Sequence, residues 1–187
     1  MSNSKSQKSY QDLLATLQEI DDRFLSDEWA INSELDRALG YRYVMHVLQS
    51  ALVSHFEGDP DWPEWTRIVS PTRKFTGDNS DSIYYETPIR GDRAYRITGN
   101  LAGAVYTSFT IEANAEDGKY ASNNAGVFND EDLDVDADGN YEFVLGGSEV
   151  GGNWMALPED AGRITTRHYF ELPTLRFRSV VAYSFDY

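Results

Sequence analysis

The sequence of 187 residues has 41% apolar residues, no cysteine, and 31 acidic against 16 basic side chains, a formal net charge of −15. This length and apolar content fit one domain with a real core, which excludes a disordered chain. The absence of cysteine excludes a disulfide scaffold, a thiol nucleophile and a thiolate zinc site, and the negative charge disfavours binding to nucleic acid and to anionic membranes.

The chain begins with a polar stretch, residues 1–9, that predicts a flexible tail and lacks the apolar segment of a signal peptide. No apolar run in the sequence approaches the roughly 18 residues that cross a bilayer. These two observations predict a cytoplasmic protein.

Residues 10–58 predict a helical hairpin. Apolar side chains recur at helical spacing over residues 10–25, and Ser9 is a suitable N-cap for this first helix. A second helix is predicted over residues 27–57, with a break near Gly40. Its apolar positions cover a wide arc, so we expect this helix to be deeply packed.

Residues 59–187 predict a β-sandwich, because short segments with alternating polarity are separated by turn signals and no helical pattern lies between them. The sequence therefore predicts an α+β fold: an N-terminal helical hairpin packed on an antiparallel, jelly-roll-like β-sandwich, the two forming one structural unit. The predicted strands are 83–89, 95–99, 104–113, 141–145, 164–170 and 175–185.

The second predicted helix carries a polar stripe formed by Arg42, His46 and Gln49. Arg42 is the only formal charge between residues 41 and 56, whereas the average composition would place about four there. A solvent face on so acidic a protein should carry more charge, so the stripe fits the wall of a semi-buried polar cleft. The alternatives are a mildly polar surface, or pairing of Arg42 with a carboxylate from a loop.

Metal and cofactor sites are not predicted. The histidines lack the spacing of metal-ligand pairs, and no phosphate-binding loop is present. Residues 134–139 imitate the start of an EF-hand loop, but the twelfth position of that loop is Leu145 instead of glutamate. A β-hairpin turning at Asp138 and Gly139 is the preferred interpretation, with weak calcium binding as its alternative.

Polar and aromatic side chains on the predicted strands complete the candidate site. Tyr84 and Tyr85 point to opposite faces of one strand, so one ring should face the core or a cleft. Arg96 and Arg167 would each need an anionic partner if they faced inward, because an unpaired buried charge is costly. The full set of candidate ligand-binding residues is Arg42, His46, Gln49, Asn79, Tyr84, Tyr85, Arg96, Trp154, Arg167 and His168.

Four segments of the sequence resemble a known family. They are GDNSDSIYY at 77–85, YRITGNLAGAVYTSFTIE at 95–112, DVDADGNYEFVL at 134–145, and NWMALP with ITTRHYF within 153–170. Together they look like the bacterial domain of unknown function 1214, and GYRYVMHVL at 40–48 is similar to the segment that precedes this domain. The resemblance implies a jelly-roll-like β-sandwich of uncharacterised activity, and it implies no catalytic residues.

The predicted function is binding of a small molecule in a cleft between the second helix and the sheet. One alternative is a cofactor-free enzyme in which His46 or His168 is the general base and an arginine stabilises developing negative charge. Another is a structural or protein-interaction domain, with a partner chain or a homo-oligomer. The first two hypotheses predict that Arg42, His46 and Arg167 converge on one cavity.

Overall fold

The structure is a computed structural model that describes residues 4–70, 72–74, 77–114, 121, 123–171 and the strand Val181–Phe185. The chain divides into two compact units, Met1–Leu48 and Gln49–Tyr187. We describe each unit by itself.

Helix α1 (Lys5–Glu19) begins five residues earlier than the sequence predicted. Its N-cap is Ser4, whose hydroxyl accepts a hydrogen bond from the Gln7 backbone amide at 3.1 Å. The predicted N-cap, Ser9, lies inside the helix, where its hydroxyl donates to the Lys5 carbonyl oxygen. The flexible tail predicted for residues 1–9 is therefore wrong from Lys5 onward, because two serines of similar capping ability compete and the earlier one caps the helix.

A π-helical turn (Ile20–Phe24) and a 3₁₀ turn (Asp27–Trp29) separate α1 from α2 (Glu34–Ala51). The interruption lies after Trp29, where Ala30 adopts a left-handed conformation with φ 60°. The break predicted at Gly40 is wrong, because α2 is continuous there. A β-carbon at Gly40 would lie 2.5 Å from a methyl group of Leu25, so this glycine allows close approach of the preceding turn.

A reciprocal cap starts α2. The Ser33 hydroxyl accepts a hydrogen bond from the Asp36 amide at 3.1 Å, and the Asp36 carboxylate accepts from the Ser33 amide at 3.2 Å. This is a capping box with aspartate in the third position. The helix continues into a second π-helical turn, Leu52–Glu57.

Replacing Ser33 with alanine is expected to destabilise the first turn of α2 by about 1 kcal/mol, because the hydroxyl that accepts from the Asp36 amide and donates to the Asp36 carboxylate is lost. Amide hydrogen exchange in that turn measures the effect. Ser9→Ala is the matched control: its hydroxyl bonds to the helix's own backbone, so its removal should leave exchange in α1 unchanged or slower.

The deep packing predicted for the second helix is wrong. Within the fully described helix α2, the one buried residue is Ser50, and Leu35 and Met45 are 68% and 50% exposed. Apolar residues lie on several sides of this helix, and a wide apolar arc measures apolar surface without showing that the chain covers it. No helix in the described part of the chain is both long and apolar enough to cross a lipid bilayer.

The second unit contains two sheets, built from nine strands among the described residues. The five-stranded sheet has the order β1 (Thr66–Arg67), β2 (Ser82–Pro88), β8 (Ala161–Tyr169), β4 (Tyr106–Ala113) and β5 (Asn123–Asn129). The four-stranded sheet has the order β7 (Trp154–Met155), β6 (Asn140–Leu145), β3 (Ala94–Asn100) and β9 (Val181–Phe185).

Strand pairing is antiparallel throughout the five-stranded sheet and between β6, β3 and β9. The pair β6–β7 is parallel, which corrects the purely antiparallel prediction. The α+β fold class is confirmed, and the jelly-roll connection stays a prediction. Three strands were not predicted: β1 and β7 have two residues each, and β5 contains the weak strand formers Asn and Gly. The part of the predicted strand 175–185 before Val181 lies outside the described residues.

The core lies between the two sheets. Phe109 of β4 meets Phe143 of β6 edge to face, with ring centroids 4.8 Å apart, and Ile97, Ile111 and Ile164 belong to the same buried cluster. Burial of such side chains is the main stabilising contribution in a two-layer domain.

The hairpin predicted around residues 134–139 is confirmed. Val135 bridges Tyr141, and Gly139 has the left-handed φ of 82° that the turn requires. The Asp136 carboxylate accepts hydrogen bonds from the Asn140 side chain and from the Asp138 and Asn140 amides, and these bonds lower the pKa of Asp136. Its oxygen atoms therefore hold the turn together.

Candidate functional site

Strand β8 has two chemically different faces. Arg163, Thr165 and Arg167 alternate along it with residues that face the core, since successive side chains of a strand point in opposite directions. This strand lies in the middle of its sheet, between β2 and β4. The register of both neighbours therefore decides which groups surround the two arginines.

The neighbouring strands add polar side chains to the same outer face. In an antiparallel sheet, directly opposite residues share a face. The pairs on this face are Tyr84 with Arg167, Glu86 with Thr165, Thr110 with Thr165, and Glu112 with Arg163.

A cavity of about 320 Å³, which we call the sheet cavity, opens on this outer face. Ile68 and Val69, both buried, line one side of it. Gly77 also lines the cavity, and its polar wall consists of Asp78, Tyr84, Glu86, Glu112, Arg163, Thr165 and Arg167. The Asp78 carboxylate lies 3.1 Å from the Lys74 ammonium group, so its charge is paired.

A buried ion pair forms one end of the polar wall. The Glu86 carboxylate lies 3.2 Å from the Arg163 guanidinium, and the two residues are 4% and 8% exposed. Ser54 donates a hydrogen bond to the same carboxylate. Burial raises the pKa of Glu86, and the Arg163 charge and the Ser54 hydrogen bond oppose this rise. The ion pair itself is thus neutral, and the nearby charge of Glu112 adds to the rise in the Glu86 pKa.

Arg167 forms the other end. Its guanidinium donates to the Thr110 hydroxyl at 2.9 Å and lies over the Tyr84 ring, 6.0 Å from the ring centroid. The Tyr84 hydroxyl accepts a hydrogen bond from the Asn79 amide, which fixes the ring. Among the residues that the structure describes, no carboxylate oxygen lies within 4.0 Å of the Arg167 guanidinium. Its charge is therefore oriented by the protein without being neutralised there.

Glu112 offers an acceptor between these two ends. Its carboxylate accepts a hydrogen bond from the Thr165 hydroxyl at 2.8 Å. Thr165 is two residues from Arg167 on the same face of β8, a separation of about 7 Å along a strand. The sheet cavity thus presents a cationic donor and an anionic acceptor at a spacing that suits a small polar molecule.

Two predicted site residues, Tyr84 and Arg167, line this cavity, and the backbone amide of a third, Asn79, donates to the Tyr84 hydroxyl. Tyr85 and His168 lie on the other face of the sheet, with ring centroids 6.3 Å apart. His168 is fully buried, with Nδ1 3.3 Å from the Thr107 hydroxyl, and burial lowers the pKa of His168 to about 4. His168 is therefore a neutral core residue at neutral pH.

Two further candidates lie in the other sheet. Arg96 is exposed on β3 with its guanidinium 3.6 Å from Glu142, and the Trp154 indole donates to the Gly146 carbonyl oxygen at 2.9 Å. Arg96 therefore faces outward and has a protein anion beside it, so the condition that the sequence set for an inward-facing arginine does not apply to it. Trp154 anchors the turn that follows β6.

The three helical candidates lie on α2. Arg42 and Gln49 are exposed and His46 is half-buried. Arg42 and His46 belong to the first compact unit, whereas the sheet cavity is lined by residues of the second. The cleft between the second helix and the sheet stays a prediction.

Sequence reasoning missed Glu86, Glu112, Arg163 and Thr165. The sequence did contain a signal for some of them. Arg163, Thr165 and Arg167 occupy alternate positions of one strand, and Glu86 is two residues from Tyr84, so each set lies on one face of its strand. The described residues contain no group of three or more histidine, aspartate or glutamate side chains that could hold a metal ion.

Comparisons with known proteins give a likeness of fold. No protein-family model and no curated protein matches the chain. The chain is similar to the crystal structure of an uncharacterised protein from Burkholderia cenocepacia, with a TM-score of 0.82 and 27% identity over 96% of this chain. The VPA0106 protein from Vibrio parahaemolyticus has a TM-score of 0.44 and 18% identity, covering 57% of this chain and 31% of its own. The chain spans 50% of the length of the Burkholderia protein, whose fold it shares.

Proposed function

We propose that the protein binds a small organic acid in the sheet cavity, with the acid group on Arg167. The observation that carries this proposal is the Arg167 guanidinium, which Thr110 and Tyr84 hold in place beside the cavity with no described carboxylate against it. A guanidinium binds a carboxylate or phosphate through two parallel hydrogen bonds, and among the described residues Thr110 takes one of the five Arg167 donors.

The size and polarity of the cavity support a metabolite-sized ligand. Its volume of about 320 Å³ lies at the lower end of the range typical of small-molecule sites. Glu112 and Thr165 favour a ligand whose far end donates a hydrogen bond, such as a hydroxyl or ammonium group. Hydroxy acids and amino acids carry both features, so they are the ligand class we expect.

The family resemblance supports the same region of the fold. The segments that look like the domain of unknown function 1214 include most of β2, β4 and β8, the strands that line the cavity. We include membership of that family in the proposal.

Thermal-shift screening followed by calorimetry tests the proposal, using hydroxy acids, amino acids, simple carboxylic acids and inorganic phosphate as probes. A ligand that binds the native state raises its stability by mass action. Arg167→Met is expected to weaken binding of the best probe by about 10- to 100-fold, since hydrogen bonds to a charged group are lost.

Arg96→Met is the matched control, because it removes an arginine from an exposed strand face of the other sheet. We expect its binding to equal that of the wild type. Equal affinities of the Arg167→Met and wild-type proteins for every probe, or the absence of any stabilising probe, would contradict the proposal.

A further inference from the structure

Helix α1 and the π-helical turn after it carry a heptad stripe. The stripe consists of Tyr10, Leu13, Leu17, Ile20 and Phe24, which follow one another at intervals of three, four, three and four residues. A hydrophobic repeat of 3.5 residues is the pattern with which two helices pack side by side.

Three of the five stripe residues are exposed, while Leu17 and Ile20 are half-buried. Tyr10, Leu13 and Phe24 are 62%, 39% and 38% exposed, and Leu14 beside them is 48% exposed. Helix α1, all of which the structure describes, contains no buried residue. An amphipathic helix normally buries its apolar face, so this surface calls for an occupant.

We propose that the heptad stripe is the interface of a homodimer, in which α1 of one copy packs against α1 of a second copy. A two-fold axis brings the same surface from both copies together, so a self-complementary stripe needs no other partner. The heptad stripe, with its five apolar positions, is self-complementary in this sense.

The available area agrees with a stable dimer. The exposed side chains of Tyr10, Leu13, Leu14 and Phe24, together with Trp29, whose ring centroid lies 5.4 Å from that of Phe24, present apolar surface on the order of 500 Å². Because about 57% of a typical interface is apolar, the whole contact would cover roughly 900 Å² per copy. Standard interfaces bury about 800 Å² per partner, so one copy of this chain supplies enough surface.

The charges of the helix favour an antiparallel arrangement. Lys5 and Lys8 lie at its N-terminal end, whereas Glu19, Asp21 and Asp22 lie at its C-terminal end or in the following turn. Lys8 and Glu19 are already paired within one copy, with Asp12 and Arg23, so an antiparallel arrangement would extend these surface pairs between the two copies. It also opposes the two helix dipoles, while parallel pairing would align them.

Light scattering coupled to gel filtration tests the dimer with the full chain over a wide range of concentrations. We expect the wild-type mass to approach twice 21.2 kDa as the concentration rises. The double variant Leu13→Lys, Leu14→Lys should stay at the monomer mass, and because both residues are largely exposed it should keep the wild-type helix content by circular dichroism.

Ala15→Lys is the matched control, since residue 15 lies on the side of α1 opposite the stripe and its charge should leave the dimer intact. A wild-type chain that stays monomeric, or a double variant that still dimerises, overturns the proposal. The chain has no cysteine, so oxidation of single-cysteine variants tests the orientation. A mixture of Ser9→Cys and Arg23→Cys proteins should cross-link between the two variants, and self-linkage of Ser9→Cys alone overturns the antiparallel arrangement.

Discussion

Replacing Glu86 with glutamine is expected to lower the free energy of unfolding by about 3 to 5 kcal/mol. Arg163 is 8% exposed and its guanidinium lies 3.2 Å from the Glu86 carboxylate, so the variant removes a buried anion from contact with a buried cation. Removing one member of a buried pair costs more than the pair contributes, because the remaining charge has already lost its water. Urea denaturation at neutral pH measures the loss.

The chain offers a matched control for this change. Glu142→Gln also removes a carboxylate from an ion pair with an arginine, but both members of that pair are about half exposed: the Arg96 side chain is 54% and the Glu142 side chain 55% exposed. We expect a loss below about 1 kcal/mol there. Adding Arg163→Met to Glu86→Gln should recover part of the larger loss, since the buried cation is then absent. A Glu86→Gln protein as stable as the Glu142→Gln protein would contradict this account of the buried pair.

Stability is expected to fall as the pH falls from about 6.5 to about 4, by roughly 3 kcal/mol from His168 alone. Burial lowers the folded-state pKa of His168 to about 4, whereas an exposed histidine titrates near 6.5. In this window the unfolded chain binds a proton that the folded chain excludes, so acidification favours unfolding. The raised pKa of Glu86 acts in the opposite direction, because the folded state then binds the extra proton.

Unfolding free energies of the wild type and of His168→Phe across this pH range separate the two contributions. Phenylalanine keeps a ring against Phe109, whose centroid lies 6.1 Å from that of His168, and it removes the titrating group. We expect the variant to lose the part of the acid-dependent decline that His168 causes and to keep the part that the lowered pKa of His55 causes. A direct proton NMR titration of His168 offers an independent reading, and an imidazole that protonates near pH 6.5 in the folded protein would refute the prediction.

The strands that alternate strongly could be predicted from the sequence, and those without that pattern could not. The prediction 141–145 differs by one residue from β6 (Asn140–Leu145), because tyrosine, phenylalanine, valine and leucine favour strands and Gly139 marks the turn. Strand β5 depends on its pairing with β4, since its own sequence, NNAGVFN, has weak strand propensity. Tertiary contacts overrode local preference there.

The sequence could indicate some individual residues of the candidate site but not which residues lie together in it. Tyr84 and Arg167 could be selected individually, but that they face each other follows from the register of β2 on β8, which no local pattern contains. Glu86 and Arg163 were missed for the same reason. In the sequence each is an ordinary charged residue, and only the pairing of β2 with β8 brings the two side chains together and buries both. The face on which His168 lies could not be predicted, because the parity of a strand residue does not say which face is the core.

Strand β8 contributes to both the core and the cavity. Ile164, Thr166 and His168 face the core, whereas Arg163, Arg167 and the threonine between them line the cavity. An insertion or deletion of one residue within it would exchange these two sets, bringing guanidinium groups between the sheets and isoleucine to the cavity. The specificity of the cavity can therefore evolve by replacement of side chains but not by changes of length in this strand. Length changes are tolerable only at its ends, as at the register shift beside Ala113.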